Sequence, residues 1–170
     1  GFCMASYLNL PMRFTPYEEV IKAIDFGLEH TNKIALLGAY VAAHPQFEQI
    51  CQYISDKVEN GKNIALSLSS LRADKISSQV VKTLVQCGQK HSTIAIEAAS
   101  ERLRKVVNKN LTEEQIFNAI KIAKDNGLKG LKLYCMLGIP TETQQDIDEF
   151  ITLASKIKEQ FKGFYISFNF

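Results

Sequence analysis

Short apolar segments recur about every thirty residues along this chain, and no other feature of the sequence constrains the fold more strongly. Each segment is followed by a loop, a helical pattern and a glycine. The predicted strands are 33–37, 64–68, 93–96, 131–136 and 164–168. Apolar strands that alternate with amphipathic helices are typical of a parallel sheet covered by helices. The sequence therefore predicts an α/β fold with a parallel sheet, and the spacing alone leaves open a barrel or a doubly wound order.

Capping patterns mark the ends of the predicted helices. Thr15 ahead of Pro16, and Thr112 ahead of Gln115, are predicted to cap the starts of two helices. Thr143 is predicted to cap the last helix. Glycines stand where helices end, shortly before the next strand, at positions 61, 88, 127 and 163. No low-complexity linker interrupts this pattern, so 1–170 is predicted to be one domain.

The composition narrows the class of protein. Hydrophobic residues make up 46% of the chain, its net charge is +2, and no apolar run is long enough to span a membrane. The first residues lack the layout of a signal peptide. The four cysteines, at 3, 51, 87 and 135, are too widely spaced for a disulfide framework. We therefore predict a cytoplasmic protein in a reducing environment, without a membrane partner.

Polar residues follow the predicted strands, at the edge of a parallel sheet where ligands bind. Gly38 follows the first strand, Arg72 the second, and 137–143 the fourth. Glu97 closes an apolar strand, where a carboxylate needs a partner. If its role is structural, the expected partner is Arg72 or Arg102. The sequence thus predicts a binding site at the carboxyl edge of the sheet.

Four stretches, in this order along the chain, resemble the radical S-adenosylmethionine (SAM) superfamily. The stretch Gly1-Phe2-Cys3 resembles the end of the Cys-x3-Cys-x-aromatic-Cys signature, and 36–39 resembles the family's glycine-containing segment. Residues 96–103 (IEAASERL) and 136–143 (MLGIPTET) resemble the methylthiotransferase-like branch. A B12-associated branch that often carries an upstream cobalamin-binding-like domain is also similar.

The resemblance implies a partial six-stranded (βα) TIM-like barrel whose first strand is missing here. The chain is then expected to be a fragment of the core domain, truncated at both ends. It also implies three thiolates that hold a [4Fe–4S] cluster, with SAM on the open iron and an external electron donor. Reductive cleavage of SAM then yields a 5′-deoxyadenosyl radical that abstracts hydrogen from an unknown substrate.

The resemblance assigns roles to residues near the cofactor, and each role has a structural alternative. Cys3 is the expected iron ligand, with a buried structural cysteine as the alternative. Phe2 is expected beside the adenine, with core packing as the alternative. Gly38 is expected to let the backbone approach the methionine end of SAM, although a tight turn needs glycine equally.

Three more residues complete the predicted site. Glu97 is expected to accept hydrogen bonds from the ribose hydroxyls or the methionine amino group of SAM. Arg72 is expected to pair with a carboxylate of SAM or substrate, unless it is a surface arginine. Met136 is placed near the adenine, with core packing as its alternative. Ala99 replaces a glycine that related sequences often have.

The other candidate groups are predicted to be structural. Cys51, Cys87 and Cys135 lack metal-ligand spacing and are expected to be core or surface thiols. The basic stretch 101–109 is expected to be a solvated face, with contact to RNA or phosphate as the alternative. A non-catalytic binding or scaffold module on the same barrel remains the alternative function. An unrelated phosphate-binding enzyme is disfavoured, because the chain has no glycine-rich phosphate loop.

Overall fold

Residues 3–170 are described by a computed structural model, apart from the side chain of Ser6. Helices and strands alternate through most of the chain. The helices are α1 (Met4–Leu8), α2 (Tyr17–His30), α3 (Phe47–Glu59), α4 (Ser78–Gln86), α5 (Glu101–Val106), α6 (Glu113–Asp125) and α7 (Gln144–Gln160). The strands are β1 (Lys33–Leu36), β2 (Ala65–Leu68), β3 (His91–Glu97), β4 (Gly130–Cys135) and β5 (Tyr165–Asn169).

All strand pairs of the described chain are parallel, and the strands lie in chain order. β1 pairs with β2, and β3, β4 and β5 form a second ladder. Leu71 joins the two ladders through a bridge to Ile94, with its N–H 2.9 Å from the carbonyl oxygen of Thr93. A doubly wound sheet reverses its strand order part-way, whereas a TIM-like barrel does not. The parallel α/β prediction is confirmed, and the doubly wound alternative is wrong.

Burial along the strands shows that helices cover a single face of the sheet. Leu131 and Leu133 of β4 are fully buried in the main core, while Lys132 and Tyr134 between them are exposed. Right-handed crossovers between strands in sequential order place every connecting helix on the same side, which explains this pattern. Within residues 3–170, no helix packs on the opposite face, which includes Lys132, Tyr134 and their cross-strand neighbours; we call it the open face.

The predicted strands are confirmed, with ends shifted by one or two residues. The glycines predicted to end helices all have left-handed φ, at 90°, 81°, 96° and 78° for Gly61, Gly88, Gly127 and Gly163. The capping box at Thr112 is present, with its hydroxyl accepting from the Gln115 N–H and its N–H bonded to the Gln115 side chain.

The cap predicted at Thr15 is wrong. Pro16 is the N-cap of α2, and no side chain among the described residues caps this helix. Thr15 therefore lies one residue before the N-cap position and does not cap the first turn of the helix. The sequence also missed α1, since Cys3 is the N-cap residue of a short helix rather than part of a loop. No helix among the described residues is long and apolar enough to cross a membrane.

Candidate functional site

A cavity of about 810 Å³ runs beside β1, between this strand, α2 and the N-terminal segment. The exposed thiol of Cys3 contributes to its wall, and so do Gly38 and Tyr40 from the loop after β1. α2 contributes Val20 and Ala23 on the other side. The structure therefore places the predicted iron ligand and the predicted methionine-binding glycine on the same cavity.

A histidine ties the N-terminal segment to the loop after β1. His44 Nδ1 accepts a hydrogen bond from the N–H of Gln46 at 3.0 Å, so the ring proton lies on Nε2. Nε2 then donates to the carbonyl oxygen of Thr15 at 2.8 Å. The ring of Phe14 packs edge-on against His44 with centroids 5.5 Å apart. These contacts hold residues 14 and 15 at the wall of the cavity.

Arg72 links this cavity to the ends of the neighbouring strands. Its guanidinium carbon lies 5.7 Å from the centroid of the Tyr40 ring, in a cation–π geometry. Two of its nitrogens donate to the Asp74 carboxylate at 2.8 and 3.2 Å, and Nη2 also donates to the Lys109 carbonyl oxygen at 3.3 Å. The hydrogen bonds to Asp74 raise the pKa of Arg72. Arg72 is therefore already engaged by a carboxylate of this chain.

Glu97 and Lys109 form an ion pair of 2.7 Å, with side chains only 14% and 9% exposed. Glu97 has a left-handed φ of 67°, at an irregularity in the register of β3 against β4. Its carbonyl oxygen accepts from the N–H of Met136 at 2.7 Å, which extends the pairing beyond β4. The expectation that Arg72 or Arg102 pairs with Glu97 is wrong. Lys109 takes this place because α5 is short and returns the chain to the end of β3.

Arg102 binds Asp146 at the start of α7 instead. Asp146 accepts hydrogen bonds from Arg102, from the Ser100 hydroxyl at 2.6 Å and from the Thr143 N–H at 2.8 Å. The Arg102 guanidinium, helped by the Ser100 and Thr143 donors, holds the pKa of this buried carboxyl well below its usual range. Arg102 also donates to the Thr141 carbonyl oxygen at 2.7 Å. These contacts join the loops after β3 and β4.

The basic stretch 101–109 is not a solvated face. Arg104 is 1% exposed and Lys109 is paired with Glu97, so two of its cations lie inside the protein. Lys105 is exposed and pairs with Glu101 on the helix surface. Arg104 shares the buried face of α5 with Leu103, and the charged residues around it conceal this in the sequence.

Met136 lies just beyond β4 and is half-buried. It packs against a small cluster formed by Ala98, Leu103, Val107 and Ile139. Its side chain therefore supports the loop after β3 directly. Gly138 follows with a left-handed φ of 74°, as expected for a residue that shapes the turn. The prediction for Phe2 lies outside the described residues.

The remaining thiols are not available as ligands. Cys51, Cys87 and Cys135 are buried, and burial raises the pKa of Cys51 and of Cys135 to about 12. Among residues 3–170, no group of three His, Cys, Asp or Glu side chains could hold a metal ion. For an iron–sulfur cluster, the described residues therefore fit one thiolate ligand, Cys3, and no complete set.

Comparisons with known proteins show the family of this chain. The family model described as the radical SAM superfamily matches residues 1–154. The chain belongs to the radical SAM superfamily. Members of this superfamily bind a [4Fe–4S] cluster and SAM. The resemblance inferred from the stretches at the strand ends is thus confirmed.

Relatives extend over nearly the whole chain. It is 36% identical over 170 residues to an uncharacterized protein of Methanocaldococcus jannaschii, covering 99% of this chain and 36% of that protein. It is 28% identical over 155 residues to a putative methylthiotransferase of the same organism, covering 85% of this chain and 34% of that one. The radical SAM chain thus spans about a third of the length of these relatives.

A solved structure shares the fold. The radical SAM methyltransferase TsrM from Kitasatospora setae, determined with cobalamin and a [4Fe–4S] cluster bound, superposes with a TM-score of 0.60 at 12% identity. The comparison covers 79% of this chain and 28% of that one. At this identity the likeness establishes the parallel α/β fold of radical SAM structures.

Proposed function

We propose that residues 1–170 form the core of a radical SAM iron–sulfur enzyme that generates a 5′-deoxyadenosyl radical for hydrogen abstraction from a substrate. When bound, the cluster supplies the electron that cleaves SAM, and the protein supplies binding, orientation and exclusion of water. The observation that carries the proposal is the position of Cys3. It is the exposed thiol of the described residues, and it lines one cavity with Gly38 and Tyr40.

Cys3 would supply one thiolate ligand to the iron. Its exposure suits this role, since a ligand thiol must lose its proton and meet the metal. Cys51 and Cys135, with their raised pKa values, are unsuited. The two other thiolates expected from the resemblance are not among the described residues, so the cluster would depend on cysteines elsewhere in the parent protein.

Glu97 and Lys109 would bind the polar end of SAM. The methionine part of SAM carries an ammonium and a carboxylate, and this pair presents one group of each opposite charge at the end of β3. Because the bond between the two side chains already fixes both of them, little ordering is needed when a ligand binds. Lys109 thus joins the predicted site, and Arg72 supports it by donating to the Lys109 carbonyl oxygen.

Gly38 and Met136 would contribute shape rather than charge. Gly38 lines the cavity with Cys3 and has no side chain, so the backbone of its loop stays accessible to a ligand. Met136 would present an apolar surface to the adenine while its packing supports the loop after β3. The substrate would meet the open face of the sheet.

The partners of the parent protein are part of the proposal. TsrM was determined with cobalamin and a [4Fe–4S] cluster bound. The bound cobalamin of this structural neighbour supports a cobalamin-binding-like domain upstream of residue 1 in the parent protein. An external electron donor and a substrate complete the reaction, and the cytoplasmic location expected from the cysteine spacing stays a prediction.

Anaerobic reconstitution of the protein that contains residues 1–170 tests this function. With iron, sulfide and a reductant we expect cluster absorbance, SAM binding and release of 5′-deoxyadenosine. Cys3→Ser should abolish cluster assembly, whereas Cys135→Ser, the matched change at a buried thiol, should retain it. A wild-type protein that holds no cluster and releases no 5′-deoxyadenosine would leave the scaffold module as the function.

A further inference from the structure

Arg104 is a buried cation without an acidic partner. Its side chain is 1% exposed, and no carboxylate among residues 3–170 lies within ion-pair distance of its guanidinium. The guanidinium donates instead to three backbone carbonyls: Nε to Leu111, and Nη1 to Ala98, at 2.9 Å, and to Ala99. Burying a charge is costly. A buried guanidinium that bonds only to backbone carbonyls therefore indicates that the positions of these carbonyls matter.

The three carbonyls belong to the two segments that carry the Glu97–Lys109 pair. Ala98 and Ala99 follow Glu97 directly, and Leu111 lies two residues after Lys109. The main chain of Arg104 also participates, since its carbonyl oxygen accepts from the Lys109 N–H at 2.8 Å. Arg104 therefore connects the outgoing and returning ends of the loop that presents the pair.

The backbone of this loop is strained at three non-glycine residues. Glu97, Asn108 and Asn110 have left-handed φ values of 67°, 58° and 48°. Such conformations persist only where the surroundings over-determine them, and they concentrate at binding sites. The guanidinium of Arg104 binds next to Glu97 on one side and next to Asn110 on the other.

We propose that Arg104 is a positioning residue, which holds Glu97 and Lys109 at the spacing that binds the amino and carboxylate groups of SAM. This inference rests on the proposed function. The planar guanidinium donates in several directions at once, whereas a lysine ammonium donates from a single nitrogen. Arg104→Lys therefore retains the charge but loses the two separate nitrogens that reach Leu111 and Ala98.

The first test measures the pair without SAM. In the protein that contains residues 1–170, unfolding equilibria of Glu97→Gln, Lys109→Met and the double variant give the coupling between the two side chains. With Arg104 present, we expect the coupling between the two side chains to change the unfolding equilibrium constant about tenfold, because the ion pair is largely shielded from solvent. In the Arg104→Lys background, the coupling should change the unfolding equilibrium constant by less than about twofold. Equal coupling in both backgrounds would overturn the inference.

The second test measures SAM affinity at a temperature where every variant is folded by circular dichroism. Arg104→Gln and Arg104→Lys should weaken SAM binding about tenfold or more, as expected when a binding pair loses its preorganisation. Lys105→Gln, which removes the neighbouring exposed charge, should stay within about twofold of wild type. Added methylguanidinium should restore affinity in Arg104→Ala and leave Lys105→Gln unchanged. Folded Arg104 variants that bind SAM normally would contradict the inference.

The two tests separate this inference from the proposed function. If Glu97→Gln and Lys109→Met bind SAM as wild type does, the pair is not the SAM site and that part of the proposed function is wrong. The coupling measurement still decides whether Arg104 positions the pair.

Discussion

Glu97 combines a strained backbone with a charge that has little contact with solvent. Its φ of 67° costs of order 1–3 kcal/mol for a residue with a side chain. Its carboxylate is 14% exposed, and Lys109 at 2.7 Å is the cation that compensates it. Both features fit the ligand-binding role that we propose for Glu97 at this strand end.

Replacing Lys109 tests how much this pair depends on both members. Lys109→Met leaves the Glu97 carboxylate poorly solvated without its cation, so we expect the free energy of unfolding to fall by about 3 kcal/mol. The double variant with Glu97→Gln should lose less than the sum of the single changes. Urea denaturation at neutral pH measures these differences.

Lys105→Met is the matched control for this change. Lys105 pairs with Glu101 on the surface of α5, with both side chains largely exposed. We expect a change within about 0.5 kcal/mol, because exposed ion pairs contribute little. An effect as large as that of Lys109→Met would show that loss of positive charge, rather than loss of the partner of Glu97, is responsible.

Half of this pair was predictable from the sequence. Glu97 follows an apolar strand, so its place at the carboxyl edge was expected. Lys109 was missed, because its return to β3 depends on where α5 ends and on left-handed conformations at Asn108 and Asn110. Neither is encoded in apolar periodicity, which reports only the faces of regular helices and strands.

At the scale of elements, the pairing of β4 with β5 depends on one glycine. A Cβ at Gly130 would lie 2.6 Å from the carbonyl oxygen of Tyr165 and 2.8 Å from its Cβ. Tyr165 is the residue paired with Gly130 in the parallel register. The two strands can therefore approach at this end only because position 130 has no side chain.

Gly130→Ala should separate the start of β4 from β5. We expect a loss of about 2 to 3 kcal/mol, the upper range for overpacking, since the contact involves backbone that cannot move aside. Gly27→Ala is the matched control, because nothing lies within 4 Å of a Cβ there and the residue is inside α2. It should gain about 0.5–1 kcal/mol through helix propensity. Thermal unfolding of both variants should show changes in stability of opposite sign.

Asp146 should make the junction of the two loops sensitive to acid. Its pKa is lowered in the folded state, chiefly by Arg102, from an unfolded value of about 3.9. Its contribution to stability is therefore present above pH 4 and is lost as the pH falls towards the folded pKa. Asp146→Asn should be less stable at pH 7 and should lose less stability between pH 4 and pH 2.

Denaturant unfolding at several pH values checks this prediction. Asp148→Asn, two residues along the same helix and exposed, is the matched control and should stay within about 0.5 kcal/mol of wild type at pH 7. If Asp146→Asn follows the wild-type slope instead, the ion pair with Arg102 does not govern acid unfolding.

At the scale of the whole molecule, the thiols divide into two classes. Cys3 is exposed, while Cys51, Cys87 and Cys135 are buried on the helix-covered side. Burial raises the pKa of all three buried thiols. These thiols therefore remain protonated and out of contact with reagents in the folded protein.

Thiol labelling tests directly which cysteines are exposed and which are buried. In the folded protein at pH 8, iodoacetamide should modify Cys3 quickly and the buried thiols only after unfolding. Mass spectrometry of the labelled peptides assigns each site. Rapid labelling of Cys51, which is 0% exposed, would contradict the packing of α3 against α4.

The strand order itself was not predictable from spacing. Repeated strand–helix units fit either a doubly wound sheet or a barrel, because both obey the same handedness rule. The motif resemblance favoured the barrel, and the bridge from Leu71 to Ile94 establishes the sequential order. Spacing specifies the units of a parallel fold, while the neighbour of each unit depends on contacts far apart in the chain.

The open face of the sheet has an evolutionary consequence. Alternate residues of each strand pack under the helices and hold the scaffold together, while those between them, such as Lys132 and Tyr134, leave the core intact whatever their identity. Proteins built this way can therefore acquire new specificities by drift at the second set of positions, with little risk to folding.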